Sequence, residues 1–434
     1  MQTLLIFIIY NIVQMLILPI FVFYLIYRIF KGKDILGNLW QRLGFVPRTT
    51  HKKKIIWLHA VSVGEVLSIQ NLINDIKSNN PSSLCYVTVG TITGRQMAEK
   101  SLNADYISFM PYDFLPCMLL AFWRIRPSSI IVVEAEIWPN FLIISSWLKI
   151  SKTLINARIS TRSYKRYKSL KFFFSPIFNS FQNILTQSDA DTNRFVKIGV
   201  HHNTLSTLGN IKAYNVIQKK HSSHNTKLHY TTLLVGSAHS GELDLYLKLF
   251  SELKKFDATL RLIIAPRHLT WQQELEDKIK STNLSYTLWT QQNNIVKSGQ
   301  NIAQALDNNF KNYDIICLCK LGELFNLYQF TDIFYLGGTF VNIGGHNLLE
   351  PAAWSNPCII GPHHQNTKNN ADEMEHSGGL IKVKNYKELK SASQKLLADP
   401  ELRLTMGNAN LQWISEIANK IKTQITNLIL NDFK

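Results

Sequence analysis

No Asp, Glu, Lys or Arg stands between Met1 and Tyr27, and Leu4 to Ile26 is mostly Leu, Ile, Phe, Val and Tyr. At about 1.5 Å per residue, such a run predicts a helix long enough to cross a ~30 Å hydrocarbon layer. Asn11 and Gln14 interrupt it, and Pro19 is expected to bend it. The basic n-region and small-residue cleavage site of a secretory signal are missing. Arg28, Lys31, Lys33, Arg42, Arg48 and Lys52 to Lys54 follow. The positive-inside bias then places the body on the cytoplasmic side of an uncleaved anchor, close to anionic phospholipid headgroups.

Beyond Lys54 short β-branched or apolar runs alternate with helical stretches: Ile55–Ala60, Leu84–Val89, Tyr106–Met110, Ile130–Val133, Thr153–Asn156, Ile184–Thr186 and Leu205–Leu208. This alternation predicts a mostly parallel sheet covered by helices on both faces. A polar, strand-poor stretch rich in Lys, His, Asn and Ser follows, after which the alternation restarts at Thr231–Val235, Leu260–Ala265, Ile315–Leu318, Ile333–Leu336 and Cys358–Ile360. The expected organisation is an anchor (1–30), a first α/β domain (31–213), a linker (214–230), a second α/β domain (231–400) and a C-terminal helix (401–434) packing back on the first domain.

Composition narrows the class. With 434 residues, 46% of them apolar, the chain can bury two cores, and a disordered or disulfide-stapled scaffold is excluded. Lys and Arg number 47 against 30 Asp and Glu, a net charge of +17, which suits an anionic lipid, a nucleic acid or a phosphorylated substrate. Five scattered cysteines read as reduced thiols, and Cys317-Leu318-Cys319 has no second pair to complete a zinc site.

Candidate chemistry collects where predicted strands end, the edge at which open α/β sheets bind ligands. In His59-Ala60-Val61-Ser62-Val63-Gly64-Glu65 a strand gives way to a helix near Glu65, whose carboxylate either serves the helix dipole alone or accepts a proton. Glu134 and Glu136 follow another strand, where extended geometry would project both to one side; capping before Pro139 is the plainer alternative. In Gly337-Gly338-Thr339 through Gly344-Gly345-His346-Asn347-Leu348-Leu349-Glu350, paired glycines admit close backbone approach. A helix starting near Gly345 would aim free N–H groups at a phosphate, and Glu350 could accept from ribose hydroxyls. Gly209-Asn210-Ile211-Lys212, Gly236-Ser237-Ala238-His239-Ser240-Gly241-Glu242 and Pro266-Arg267-His268 sit at comparable places, Arg267 being the candidate phosphate fork. Asp189-Ala190-Asp191 matches a metal-binding D-x-D but reads as helix capping. G-x-G-x-x-G and the Walker loop are missing. The basic stretch from Arg158 and Arg162 to Lys171 is a solvated helix face or a receiver of phosphorylated headgroups.

Together these motifs, with Asn156-Ala157-Arg158-Ile159-Ser160, resemble the Kdo (3-deoxy-D-manno-octulosonic acid) transferases in content and order, from the anchor to about Asn366. The resemblance implies a GT-B glycosyltransferase: two Rossmann-like domains facing across a cleft, the acceptor on the first and CMP-Kdo on the second. It implies transfer of Kdo to the lipid A precursor (lipid IVA) at the cytoplasmic face of a bacterial inner membrane, in lipopolysaccharide core biosynthesis. Glu65 would be the general base, with Glu134 or Glu136 on the acceptor side and Arg158 and Arg162 toward acceptor or membrane. Donor contacts would fall on Arg267, Gly345, Asn347, Glu350, Gly236, Ser237 and Lys212. Because the donor carries a single phosphate, Arg267 and a helix N-terminus are expected to suffice, with no metal or cofactor. The chain departs from the family pattern at Cys319-Lys320-Leu321 and at Thr339, where serine is usual. Two other readings are another membrane-associated GT-B enzyme using a UDP-sugar and a lipid-linked acceptor, and a membrane-tethered nucleic-acid binder. The latter leaves the Gly-Gly-His-Asn cluster without purpose, so nucleic acid is not the expected partner.

Overall fold

The computed structural model describes residues 2–31, 36–50, 53–220, 228–296 and 300–432; Lys33, Lys52 and residues 221–227 of the expected linker lie outside them. The chain forms two compact units, Met1–Asn215 with Ile417–Lys434, and Val216–Glu416.

In the first unit seven parallel strands line up in the order β3-β2-β1-β4-β5-β6-β7. They are β1 (Lys54–His59), β2 (Ser83–Val89), β3 (Tyr106–Phe109), β4 (Ser129–Val133), β5 (Ser151–Ala157), β6 (Asn183–Thr186) and β7 (Leu205–Thr207). β4 is buried along its whole length, and β1 everywhere but its first residue, which is why both read as unbroken apolar runs instead of alternating ones. Trp57 of β1 anchors this core edge-on against Phe122 and Phe141, at centroid distances of 5.2 and 4.8 Å. The strand order reverses between β1 and β4, so the crevice beyond their carboxyl ends receives the residues after His59 and after Val133.

The N-terminal helix Gln2–Phe30 continues through Pro19. One stripe of it lies against the first unit. Ile6 is buried, Phe7 meets the Trp147 ring at 4.5 Å and Phe21 meets Tyr112 at 5.0 Å. Its polar residues fall on the same stripe: Tyr10 donates to Asp113 Oδ2 (3.0 Å), Asn11 to Asn140 Oδ1 (2.8 Å), and Asn140 donates back to Gln14 Oε1 (3.1 Å). Leu4, Leu5, Ile8, Ile12, Leu16 and Phe23 stay exposed. By length and composition the span Thr3–Tyr27 is able to cross a membrane. Not every basic residue after it faces outward: Arg42 donates to the carbonyls of Met110 (3.1 Å) and Gly90 (2.5 Å) and covers the Phe109 ring.

The second sheet, in the order β10-β11-β9-β8-β12-β13-β14, is also parallel. Its strands are β8 (Thr232–Ala238), β9 (Arg261–Pro266), β10 (Tyr286–Trp289), β11 (Ile315–Leu318), β12 (Ile333–Leu336), β13 (Cys358–Ile360) and β14 (Leu380–Lys382). Here the reversal lies between β8 and β12, which brings the loops after Ala238 and Leu336 to one crevice. The edge strands β10 and β14 escape the hydrophobic pattern because they are short and only partly buried.

Two boundaries differ from expectation. The start of the expected linker belongs to a helix, Lys212–Lys220, with Ala213 and Tyr214 buried in the first unit. The C-terminal helix, Pro400–Asp432, belongs to the second unit as far as Glu416 and to the first from Ile417, whose side chain lies against Gly209. All five cysteines are buried and free.

Candidate active site

Each unit builds one cluster at its switch point. In the first, β1 leads through Ala60–Ser62 into the helix Val63–Ser68, of which Glu65 is the third residue. Glu65 is 8% exposed. Its Oε2 accepts from the Val61 amide (2.8 Å) and its Oε1 from the Ser62 hydroxyl (2.7 Å). Each oxygen keeps a further lone-pair direction for another donor.

β4 does not run on into an extended Glu134–Glu136 pair, as the sequence reading expects. Glu134 adopts φ +60° while its amide donates to the Ile155 carbonyl (2.9 Å), and the chain becomes helical at Pro139. A non-glycine residue in this left-handed region costs on the order of 1–2 kcal/mol. Both carboxyls still stand in the field of Glu65: burial first, then the Glu65 charge, raises the pKa of each. Lys212 and Arg158 draw Glu134 back toward its ionised form.

Lys212 therefore belongs with these acids in the first unit, although the motif reading groups it with the donor contacts. Its Nζ lies 3.8 Å from where a Cβ would stand on Gly64. Asn156, at φ +54°, ties this segment down by accepting from the Ile211 amide (3.2 Å). Arg158 is exposed after β5, and Arg162 sits in the helix Thr161–Ser169, which buries no residue. Asp189-Ala190-Asp191 does open a helix: Ser188 caps it by accepting from the Asp191 amide, and buried Asp191 accepts from the Ile159 amide (3.1 Å).

In the second unit the glycine loop after β12 folds on itself. Gly338, Gly344 and Gly345 have positive φ, and the amides of Gly344 and Gly345 both donate to the Gly338 carbonyl, at 3.1 and 3.0 Å. The next helix starts only at Leu349. The expectation of a helix start near Gly345 with its N–H groups free for phosphate is thus corrected: both are used inside the loop. Gly236 has a packing reason, since a Cβ there would come within 2.6 Å of the Phe334 ring, and the Ser237 carbonyl lies where a Cβ on Gly337 would fall. Asn347 Oδ1 accepts from the Leu349 amide (3.0 Å). Burial raises the Glu350 carboxyl, against the Lys219 charge and a hydrogen bond with Asn347. Arg267 is exposed just after β9, its amide fixed to the Ala238 carbonyl (2.9 Å), and its charge reaches His239 and His346.

A family model described as 3-deoxy-D-manno-octulosonic-acid transferase (kdotransferase) matches residues 37–215. The 3-deoxy-D-manno-octulosonic acid transferase of Rickettsia felis is 30% identical over 359 residues, 80% of this chain and 73% of that protein. The chain belongs to the Kdo transferase family. It is also 29% identical over 382 residues, 86% of its length, to a bifunctional glycosyltransferase/methyltransferase of Fusobacterium nucleatum, and spans 57% of that longer protein. UDP-GlcNAc 2-epimerase from Neisseria meningitidis superposes with a TM-score of 0.58 over 87% of this chain and 100% of its own, at 13% identity, which shows a shared fold of Rossmann-like units, as in GT-B glycosyltransferases.

Residues that the sequence reading gives no role hold this glycine loop in shape. Buried Glu242 accepts from the amides of His239 (3.0 Å), Gly338 (2.5 Å) and Phe340 (3.2 Å), so one carboxylate fastens two loops. Through its hydroxyl Thr339 donates to the Leu336 carbonyl (2.7 Å) and accepts from the Gly361 amide (2.9 Å). Its methyl group occupies space beside Gly345 that no Cβ fills. His239 and His346 meet directly, Nε2 to Nε2, at 2.7 Å.

Proposed function

We propose that this chain transfers Kdo from CMP-Kdo to the lipid A precursor, at the cytoplasmic face of a bacterial inner membrane to which the helix Gln2–Phe30 anchors it. Family membership supports the reaction class, and the disposition of Glu65 carries the assignment of the base. Its carboxylate sits at a switch-point crevice, is held by Val61 and Ser62, and is flanked by Glu134, Glu136 and Lys212.

In this reading Glu65 takes the proton from the acceptor hydroxyl as that oxygen attacks the anomeric carbon, and CMP leaves. The transition state resembles an oxocarbenium ion, and a single displacement inverts the anomeric centre. Arg267 offsets the single phosphate charge of the leaving group, so the proposal needs no metal. Asn347 and Glu350 hold donor hydroxyls; Arg158 and Arg162 face the phosphorylated acceptor or the anionic bilayer.

The test is an assay of the full chain in detergent with CMP-Kdo and lipid IVA, the product read by mass spectrometry. A mass increase equal to one or more Kdo residues supports the proposal. Turnover of a UDP-sugar with CMP-Kdo left intact would refute it.

A further inference from the structure

We propose that Asp191 and Arg194 are positioning residues for acceptor recognition: they grip the Ile159 peptide by its N–H and its C=O, and so hold Arg158 where its guanidinium meets a phosphate of the acceptor. The inference rests on the acceptor-site reading of Glu65, Glu134 and Lys212.

The segment needs holding because β5 leaves its regular ladder there. Its register against β6 shifts between Leu154 and Ala157, and Asn156 takes φ +54°. A non-glycine residue in the left-handed region costs about 1–2 kcal/mol and persists only where its surroundings over-determine it. The junction of β6 with the helix Asp189–Ile198 does this. The Gln187 amide donates to the Ala157 carbonyl (3.0 Å), and Gln187 Nε2 donates to the Asn156 carbonyl (3.1 Å). Asp191 Oδ1 accepts from the Ile159 amide (3.1 Å), while Arg194 Nη1 donates to the Ile159 carbonyl (2.6 Å). Arg194 also pairs with Asp191 Oδ1 (3.4 Å), and the Ser188 hydroxyl donates to Oδ2 (2.7 Å). The backbone is thus fixed on either side of Arg158, whose own side chain is exposed.

Helix capping explains only part of this. Ser188 accepts from the Asp191 amide and is the cap. It accounts neither for a carboxylate, 2% exposed, that reaches across to Ile159, nor for Arg194, the sixth residue of that helix.

What the grip carries is a cation at the crevice. The Arg158 charge reaches Glu134, and among the described residues Arg158 forms no ion pair. Lys212, the other cation acting on Glu134, follows a backbone amide held in the same manner, that of Ile211 by Asn156. A guanidinium beside the acids that meet an acceptor hydroxyl suits a phosphate on that acceptor, and a fixed backbone spares part of the ordering cost of binding it. Arg158 is the binding residue; Asp191 and Arg194 act through it.

The test compares KM for lipid IVA with KM for CMP-Kdo, using the full chain in detergent and the variants Arg158→Ala, Arg194→Met, Arg194→Lys and the double variant Arg158→Ala with Arg194→Met. Arg158→Ala should raise KM for lipid IVA roughly 10- to 100-fold, the range for a hydrogen bond between charged groups. Arg194→Met should raise it by part of that factor, at least about threefold, with KM for CMP-Kdo unchanged. Arg194→Lys, which still brings an N–H toward the Ile159 carbonyl, should restore most of the loss. The Arg194→Met factor should vanish in the Arg158→Ala background, as coupling through one residue requires, and with lipid IVA stripped of its phosphates. If Arg194→Met does not fold, Asp191→Asn carries the same comparison, since it keeps an acceptor for Ile159 and loses the charge that pairs with Arg194.

An equal rise in KM for both substrates, or an Arg194→Met factor that persists without Arg158, would reduce the grip to folding and overturn the proposal. So would losses that follow the anionic lipid content of mixed micelles instead of the acceptor phosphate, because Arg158 would then serve the bilayer. If the wild-type chain leaves lipid IVA unmodified, the acceptor reading falls and takes this inference with it; an active wild type with additive variants sinks this inference alone.

Discussion

The Ser62 hydroxyl stands 2.7 Å from Glu65 Oε1, on the carboxylate whose other oxygen takes the Val61 amide. Glu65 is thus oriented by its own helix start before any substrate arrives. Glu65→Gln keeps the shape and removes the proton acceptor, so kcat for Kdo transfer should fall about 10²- to 10⁴-fold with the melting temperature nearly unchanged. Ser62→Ala, which frees the orientation but leaves the base, should cost much less. Near-normal transfer by a folded Glu65→Gln enzyme would remove Glu65 from the mechanism.

Lys212 acts through charge on Glu134, a neighbour of Glu65. Burial and Glu65 raise the Glu134 carboxyl, while Lys212 lowers it. Removing that cation in Lys212→Met should raise Glu134 further, and the acidic limb of the kcat/KM profile should move to higher pH. A limb that stays put, or moves down, separates Lys212 from the acidic cluster.

Lys152, in β5 of the first sheet, is almost wholly buried, its Nζ donating to the Ser146 hydroxyl (2.9 Å), and burial lowers its pKa from 10.5 to about 8. Between about pH 8 and 10.5 the unfolded chain binds a proton that the folded chain releases, so stability should climb with pH across that window. Below it, the buried charge costs on the order of 2–3 kcal/mol. Lys152→Met should therefore be more stable at pH 7, by roughly 1–3 kcal/mol, and denaturant melts of the variant should lose the alkaline rise.

Glu242 fastens the His239 turn to the glycine loop. In Glu242→Gln one of the oxygens becomes an amide donor facing backbone N–H groups, a buried conflict worth roughly 1–3 kcal/mol. Urea melts should show that loss, and KM for the sugar nucleotide should rise more than kcat falls. A variant with wild-type stability would mean that the loop holds its shape without this carboxylate.

Strands such as β4 were legible because burial on both faces leaves an unbroken apolar run, and the helix start at Asp189-Ala190-Asp191 because its signal is local, although the cap itself is Ser188. What escaped is long-range. Nothing near Glu134 announces φ +60°, which is imposed by its amide bond to Ile155 on the neighbouring strand. His239 and His346 are 107 positions apart and become partners only because β8 and β12 pair in the sheet. The glycines of 344–345 signalled an unusual backbone correctly, but not that its amides turn inward to Gly338. Arg42 looked like a headgroup ligand and is instead bonded to two carbonyls, because charge counts carry no direction.

The polar stripe on the helix Gln2–Phe30 makes that segment more than a leash. Exchanging it for an unrelated greasy span of equal length would leave Asp113 without the Tyr10 hydroxyl and Asn140 without Asn11 and Gln14. Attachment and the soundness of the first half of the enzyme are thereby vested in one set of side chains, and a shortened, leaderless version would carry a raw seam where its partner had been.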